Sequence, residues 1–323
     1  MALIYCNRSA LYLYRSNCPM TLSRASLAGA WRQGATTFLE RAAESSRGPA
    51  RYLERPLHLL VPPNVKRKSG VGMRYHVATR GITTGSLRSL GDGGFVVSPD
   101  YVLYELSREL GLLEAIQLGY ELCGTYSRDR EGRCVFGSHD PYVTRRSLAR
   151  LSSQLGGAYG SRRFARVVPF VLENSCSPAE TAVAMLLCLP PRHGGFGLPQ
   201  PRMNYRIDPG ARRVSEVGKG YYLCDLYWPE ARVAVEYDSD LFHTGSERIA
   251  ADAKRRTDLL ALGVTVLTLT RRQLYDERLL ASFAKILARE LGCQVRIRCE
   301  GFEQRHRVLR ATVLGGGEGR VER

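Results

Sequence analysis

The stretch Tyr221–Thr270, YYLCDLYWPEARVAVEYDSDLFHTGSERIAADAKRRTDLLALGVTVLTLT, constrains the fold of this chain more than any other. Two strand patterns, Tyr221–Tyr227 and Ala231–Tyr237, precede a helix pattern from about Ser246 to Leu262 and an apolar strand, Val264–Leu269. Met203–Ile207 adds a strand before them, and an apolar helix, Thr181–Leu189, comes earlier still. A helix between the third and fourth strands acts as a crossover, so the sheet must be mixed. The expected class is α/β: an α+β N-terminal domain, then a domain with αβββαβ order.

Three acids sit inside these strands, where solubility does not require them. Asp225 interrupts an apolar and aromatic run, and Glu236 and Asp238 close Val-Ala-Val-Glu-Tyr-Asp. With Pro229-Glu230 at the hairpin tip, Trp228 opposes Ala231 and Asp225 opposes Ala234. Strand alternation then puts Asp225, Glu236 and Asp238 on one face, provided the register holds. Carboxylates gathered on a half-buried face repel one another and need a partner. One solution is a hard divalent cation, Mg²⁺ or Mn²⁺, which takes oxygen ligands and can share them with a phosphodiester. The other is a salt-bridge network through Arg232, Arg255 or Arg256.

The flanking residues extend the choice. Ile249, Ala253, Arg256 and Leu260 recur at helical spacing, which places Arg256 on an inward stripe. There it would grip phosphate or pair with Asp252. His243, in the loop after the third strand, could move a proton to a leaving group. Ser177-Pro178-Ala179-Glu180 reads as a capping box in which Glu180 reaches back to the Ser177 amide.

The chain has 323 residues, enough for two domains. The segmentation expected is 1–160 mixed α/β, 161–175 linker, 176–299 the acid-bearing domain, and 300–323 a basic, Gly-rich tail that is disordered from Val313. The helix expected over residues 21–45 is capped by Thr21 or Ser23. His58 and His76, each inside an apolar strand pattern, read as structural histidines. Forty-seven Lys and Arg against 31 Asp and Glu give a net charge of +16, which favours a polyanion such as DNA as partner. A generic Arg-rich basic protein would carry the same imbalance. Nine scattered cysteines without a CxxC pair predict reduced thiols, hence a cytoplasmic protein. No signal peptide and no membrane-spanning stretch is expected.

Asp225-Leu-Tyr-Trp-Pro-Glu, Val-Ala-Val-Glu236-Tyr-Asp238, Phe-His243 and Asp252-xxx-Arg256 before Leu-Gly-Val occur in an order that resembles the Vsr-related endonuclease-like domain of the PD-(D/E)XK superfamily. The resemblance covers about residues 176–290. It implies a Mg²⁺-dependent DNA endonuclease in defence or repair. Asp225, Glu236 and Glu180 would be metal ligands, with Asp238 and His243 in the catalytic group and Arg256, Arg255 and Lys254 supporting site or nucleic acid. The superfamily's lysine position holds Asp238, so His243 or Lys254 would have to supply the missing positive charge. The front half, through Leu57-His-Leu-Leu-Val-Pro, Tyr75-His and Phe95-Val-Val-Ser-Pro, resembles AbiE-type antitoxin-like proteins. That likeness implies a DNA-binding regulator with a degenerate nuclease fold as the alternative, and a toxin partner or a homodimer.

Overall fold

The structure is a computed structural model describing residues 3–16, 18, 20–23, 30, 53–61, 72–77, 82, 86–90, 94–129, 132–137, 139–209, 220–238 and 246–315. The chain divides into two compact units: 1–123 with 127–171, and 124–126 with 172–323.

In the first unit the elements are β1 (Ile4–Tyr5), α1 (Asn7–Arg15), β2 (Thr21–Ser23), β3 (Leu57–Val61), β4 (Met73–Val77), β5 (Leu87–Ser89), β6 (Phe95–Val97), α2 (Pro99–Ser107), α3 (Leu112–Leu122), β7 (Ser127–Arg128), β8 (Cys134–Val135), α4 (Arg145–Gln154) and α5 (Ser161–Val167). Six strands form one sheet in the order β2-β5-β6-β1-β3-β4. Its centre is apolar: Ile4, Leu59, Val61, Val96 and Val97 are all fully buried. Ser98-Pro99 starts α2 as its sequence predicts, because proline at the first helical position gives up no hydrogen bond.

Three expectations for this half are corrected. Thr21–Ser23 is not a helix start but a strand, antiparallel to Leu87–Ser89. The remainder of the helix expected over 21–45 lies outside the described residues, apart from Ala30. Residues 161–175 are not a linker. Ser161–Val167 is helical with Phe164 fully buried, and the division between units falls after Val171.

The second unit contains α6 (Pro178–Cys188), β9 (Arg202–Ile207), β10 (Tyr222–Trp228), β11 (Val233–Asp238), α7 (Ser246–Ala261), β12 (Thr265–Thr270), α8 (Arg271–Tyr275), α9 (Glu277–Glu290) and α10 (Phe302–Leu314). The order through β12 is α-β-β-β-α-β, with sheet order β12-β11-β10-β9. β9, β10 and β11 are antiparallel neighbours, and β11 runs parallel to β12 across the α7 crossover. The sheet is mixed, as the apolar patterning predicts. Gly263, at φ +77°, stops α7: its amide donates to Leu260 O, and the Val264 amide donates to Leu259 O.

The tail is corrected over its described part, while residues 316–323 lie outside the described residues. Phe302–Leu314 is a helix, with His306, Leu309 and Val313 buried. His306 Nδ1 lies 2.6 Å from Gly194 O, which ties this helix to the loop after α6. Gly194 has φ +91°, and a Cβ there would meet the backbone of Arg305 and His306. Gly194→Ala is therefore expected to cost about 2–4 kcal/mol of stability, through left-handed strain plus a backbone clash. Urea unfolding measures this, and limited proteolysis should cut within α10 in the variant before the parent.

All nine cysteines are unbridged. Among the described residues no helix is long and apolar enough to cross a membrane.

Candidate active site

The hairpin β10–β11 has a longer turn than its sequence suggests. Trp228 pairs with Val233, Tyr227 with Ala234 and Leu226 with Val235. The connection spans Pro229 to Arg232; the Arg232 amide donates to Pro229 O, and Arg232 takes φ +54°. The register is thus displaced by two residues from the one counted with a two-residue tip. Continuing it puts Glu236, not Ala234, across from Asp225.

Regular alternation also fails at this point. Tyr222, Cys224 and Tyr227 pack in one cluster with Ala234, Leu259 and Leu262, although an undisturbed pleat would send Tyr227 to the other face. The interruption falls between Cys224 and Leu226, opposite Asn204 of β9, which has φ +44°. Asp225 and Asn204 are left out of the pairing there, while the register is the same on both sides of them. Its Oδ2 accepts the Tyr237 amide at 2.9 Å.

Glu180 approaches from α6. Ser177 caps that helix, its Oγ accepting the Glu180 amide at 3.1 Å. The reciprocal half of the box differs from the expected one. Glu180 Oε2 accepts the Cys176 amide, not that of Ser177, at 2.9 Å, and Oε1 accepts the Ser177 hydroxyl at 2.9 Å. Asn204 Nδ2 adds a bond to Oε2 at 2.5 Å. Three donors therefore hold a carboxyl that is only 8% exposed.

Glu236 faces α7. Arg255 donates to Oε1 from Nε at 3.1 Å and from Nη2, and the same Nη2 also donates to Leu223 O. Arg255 thus joins the two acid-bearing strands to the crossover helix.

Burial pushes the Asp225 carboxyl up from the ordinary aspartate value to about 7. The Glu180 charge adds to the rise, and the Tyr237 amide opposes it. Burial raises Glu180 as well, against its bonds from Cys176, Asn204 and Ser177. Desolvation together with a neighbouring acid is the kind of environment that marks a candidate functional carboxyl, though structural networks produce it too.

The structure thus sets Asp225 and Glu236 on neighbouring strands, with the charges of Glu180 from α6 and Arg255 from α7 acting on Asp225. Asp238 follows on β11, paired with Thr270 of β12. His243 lies outside the described residues. Arg256 is not on an inward stripe: it is exposed, its Nε directed to Asp252 O at 3.4 Å. The inward face of α7 is Arg255, Asp258, Leu259 and Leu262, because the helix is rotated by one residue from the Arg256–Leu260 stripe; Leu260 is 67% exposed. Lys254 pairs with Asp258 at 2.7 Å, and Asp258 accepts the Tyr222 hydroxyl. Arg232 donates to Leu262 O at the end of α7. Asn204 had no sequence signal: a polar residue in a strand pattern reads as solvent-facing, and its left-handed backbone is visible only in three dimensions.

A search of family models, curated proteins and solved structures finds no match to this chain.

Proposed function

We propose that the second unit is a divalent-cation-dependent DNA endonuclease. The reading rests on Asp225, a largely buried carboxyl on β10 that the charges of Glu180 and Glu236 both act on, within an α-β-β-β-α-β unit. Of the chain's net charge of +16, +4 lies in this unit and +12 in the first, so the charge supports a polyanionic partner for the whole chain more than for the site itself.

The donor set is all oxygen, which suits Mg²⁺ or Mn²⁺ rather than a softer ion. Glu180, Asp225 and Glu236 do not all bring an oxygen within 4.8 Å of one another; among the described residues only Cys6, His76 and Glu105 bring three donor atoms so close. Two carboxylates, Asp225 and Glu236, are therefore the ligands in this reading, which is an ordinary number for Mg²⁺ with water and phosphate completing the shell. When bound, the ion supplies Lewis acidity to the phosphodiester and lowers the pKa of an attacking water. Arg255 holds Glu236 chiefly through Oε1, which orients the carboxylate. Asn204 holds the Glu180 carboxyl, whose charge acts on Asp225.

A second reading, a DNA-binding regulator with a non-catalytic nuclease fold, is favoured by one feature. The cation nearest Glu236 is Arg255, which is committed to it, and the position two residues on holds Asp238 rather than lysine. Supercoiled plasmid incubated with the protein in Mg²⁺ or in chelator separates the two. Relaxed or linear product that needs Mg²⁺ supports the enzyme; a retarded band of intact plasmid in both conditions supports the regulator.

A further inference from the structure

Cys6, His76 and Glu105 are far apart in the chain yet meet in the first unit. One ligand atom from each lies within 4.8 Å of the other two. Three elements bring them together. Cys6 follows β1 and caps α1, and its amide donates to His58 O at 3.1 Å. His76 is on β4, in parallel register with β3 through Leu60. Glu105 is on α2 and accepts the Asn7 amide at 2.8 Å. Cys6 is fully buried and Glu105 is 1% exposed. His58 Nδ1 lies 2.9 Å from His76 Nε2, and the two rings stack with centroids 5.0 Å apart.

Glutamate is almost never fully buried unless paired. The cation recorded near Glu105 is Arg108, at 3.8 Å, beyond hydrogen-bond distance. A buried thiol, a half-buried imidazole and a buried carboxyl therefore meet at one place, the thiol bonded to the carboxyl and Arg108 close by. A hydrogen-bonded polar core is one solution. A divalent ion is the other: thiolate plus carboxylate would neutralise it, and a bond from His58 to the His76 ring is the kind of outer contact that orients a ligating histidine.

Sulfur, nitrogen and oxygen donors together select a borderline ion and disfavour Mg²⁺ and Ca²⁺. Bond lengths of about 2.0–2.3 Å imply tetrahedral ligand separations of roughly 3.3–3.8 Å, so the three atoms need to close by no more than about 1.5 Å. We infer that Cys6, His76 and Glu105 form a three-ligand site for a transition-metal ion, Zn²⁺ foremost, with a fourth position open to water or a small ligand. The site pins β1, β4 and α2 together, and it is independent of the nuclease reading for the second unit.

Cobalt titration of the full-length, reduced, metal-free protein tests this. The expected result is saturable binding of about one Co²⁺ with a thiolate-to-cobalt charge-transfer band, lost when Zn²⁺ is added. Cys6→Ser should abolish the band, and His76→Gln should weaken binding at least about tenfold while the circular dichroism of the parent is retained. Asp225→Asn should leave the band unchanged. No band in the parent at saturating Co²⁺ overturns the site, as does a band that persists in Cys6→Ser. If Cys6→Ser does not fold, His76→Gln decides: parental affinity in that variant overturns the proposal.

Discussion

Asp225→Asn is expected to be more stable than the parent at about pH 8, by on the order of 3 kcal/mol, and nearly equal to it at about pH 4. The folded carboxyl keeps its proton to about pH 7, whereas the model value is 3.8. Between those values the folded chain binds more protons than the unfolded chain, so stability falls as pH rises. The contribution is greatest below the lower value and is lost above the upper one. Asparagine cannot ionise, and its side-chain oxygen can still accept the Tyr237 amide. Urea unfolding across this window should therefore show a slope in the parent that flattens in the variant. Equal slopes would mean that Asp225 titrates normally in the fold.

Arg255→Met should act in the opposite direction. Arg255 and Glu236 are only 25% and 22% exposed, so the pair is screened less than a surface ion pair. Losing the guanidinium removes its bonds to Glu236 and Leu223 O and leaves one carboxylate facing another across the hairpin. The expected loss is about 1–3 kcal/mol. Adding Glu236→Gln should restore much of it, because the charge left uncompensated is removed too. Denaturation of both single variants and the double variant gives the coupling directly. Additive losses would show that Arg255 acts mainly through Leu223 rather than through Glu236.

Much of the second unit was legible because its signals are local. Alternating strands, a three-turn apolar helix behind Ser177, and Gly263 after a periodic run each state their own geometry. The acids stood out for the same reason: Asp225 and Glu236 break apolar strands. Their arrangement was less legible. The four-residue turn, with Arg232 in the left-handed region, is not marked in the sequence, and it sets Asp225 across from Glu236 instead of Ala234. The rotation of α7 was ambiguous between adjacent leucines, Leu259 and Leu260, so Arg256 was assigned the place that Arg255 fills. Residues 161–175 look irregular because they follow the glycines at 156, 157 and 160 and begin with a run of Arg, and the tail because it is basic and rich in Gly from 315; Phe164 and His306 show that a few buried contacts suffice to order such segments. The meeting of Cys6, His76 and Glu105 had no signal, since β1, β4 and α2 become neighbours only through the long-range pairing of the first sheet.

The gain in stability expected for Asp225→Asn also makes that variant the cleanest probe of function, because a loss of activity in it cannot be attributed to unfolding. The most direct measurement is the rate of Mg²⁺-dependent plasmid cleavage by the parent, Asp225→Asn and Glu236→Gln, with DNA binding followed in parallel. Both variants are expected to cleave at least about a hundredfold more slowly with binding retained, as loss of a cation's contribution of several kcal/mol requires. Cleavage at the parent's rate in either variant would contradict that expectation.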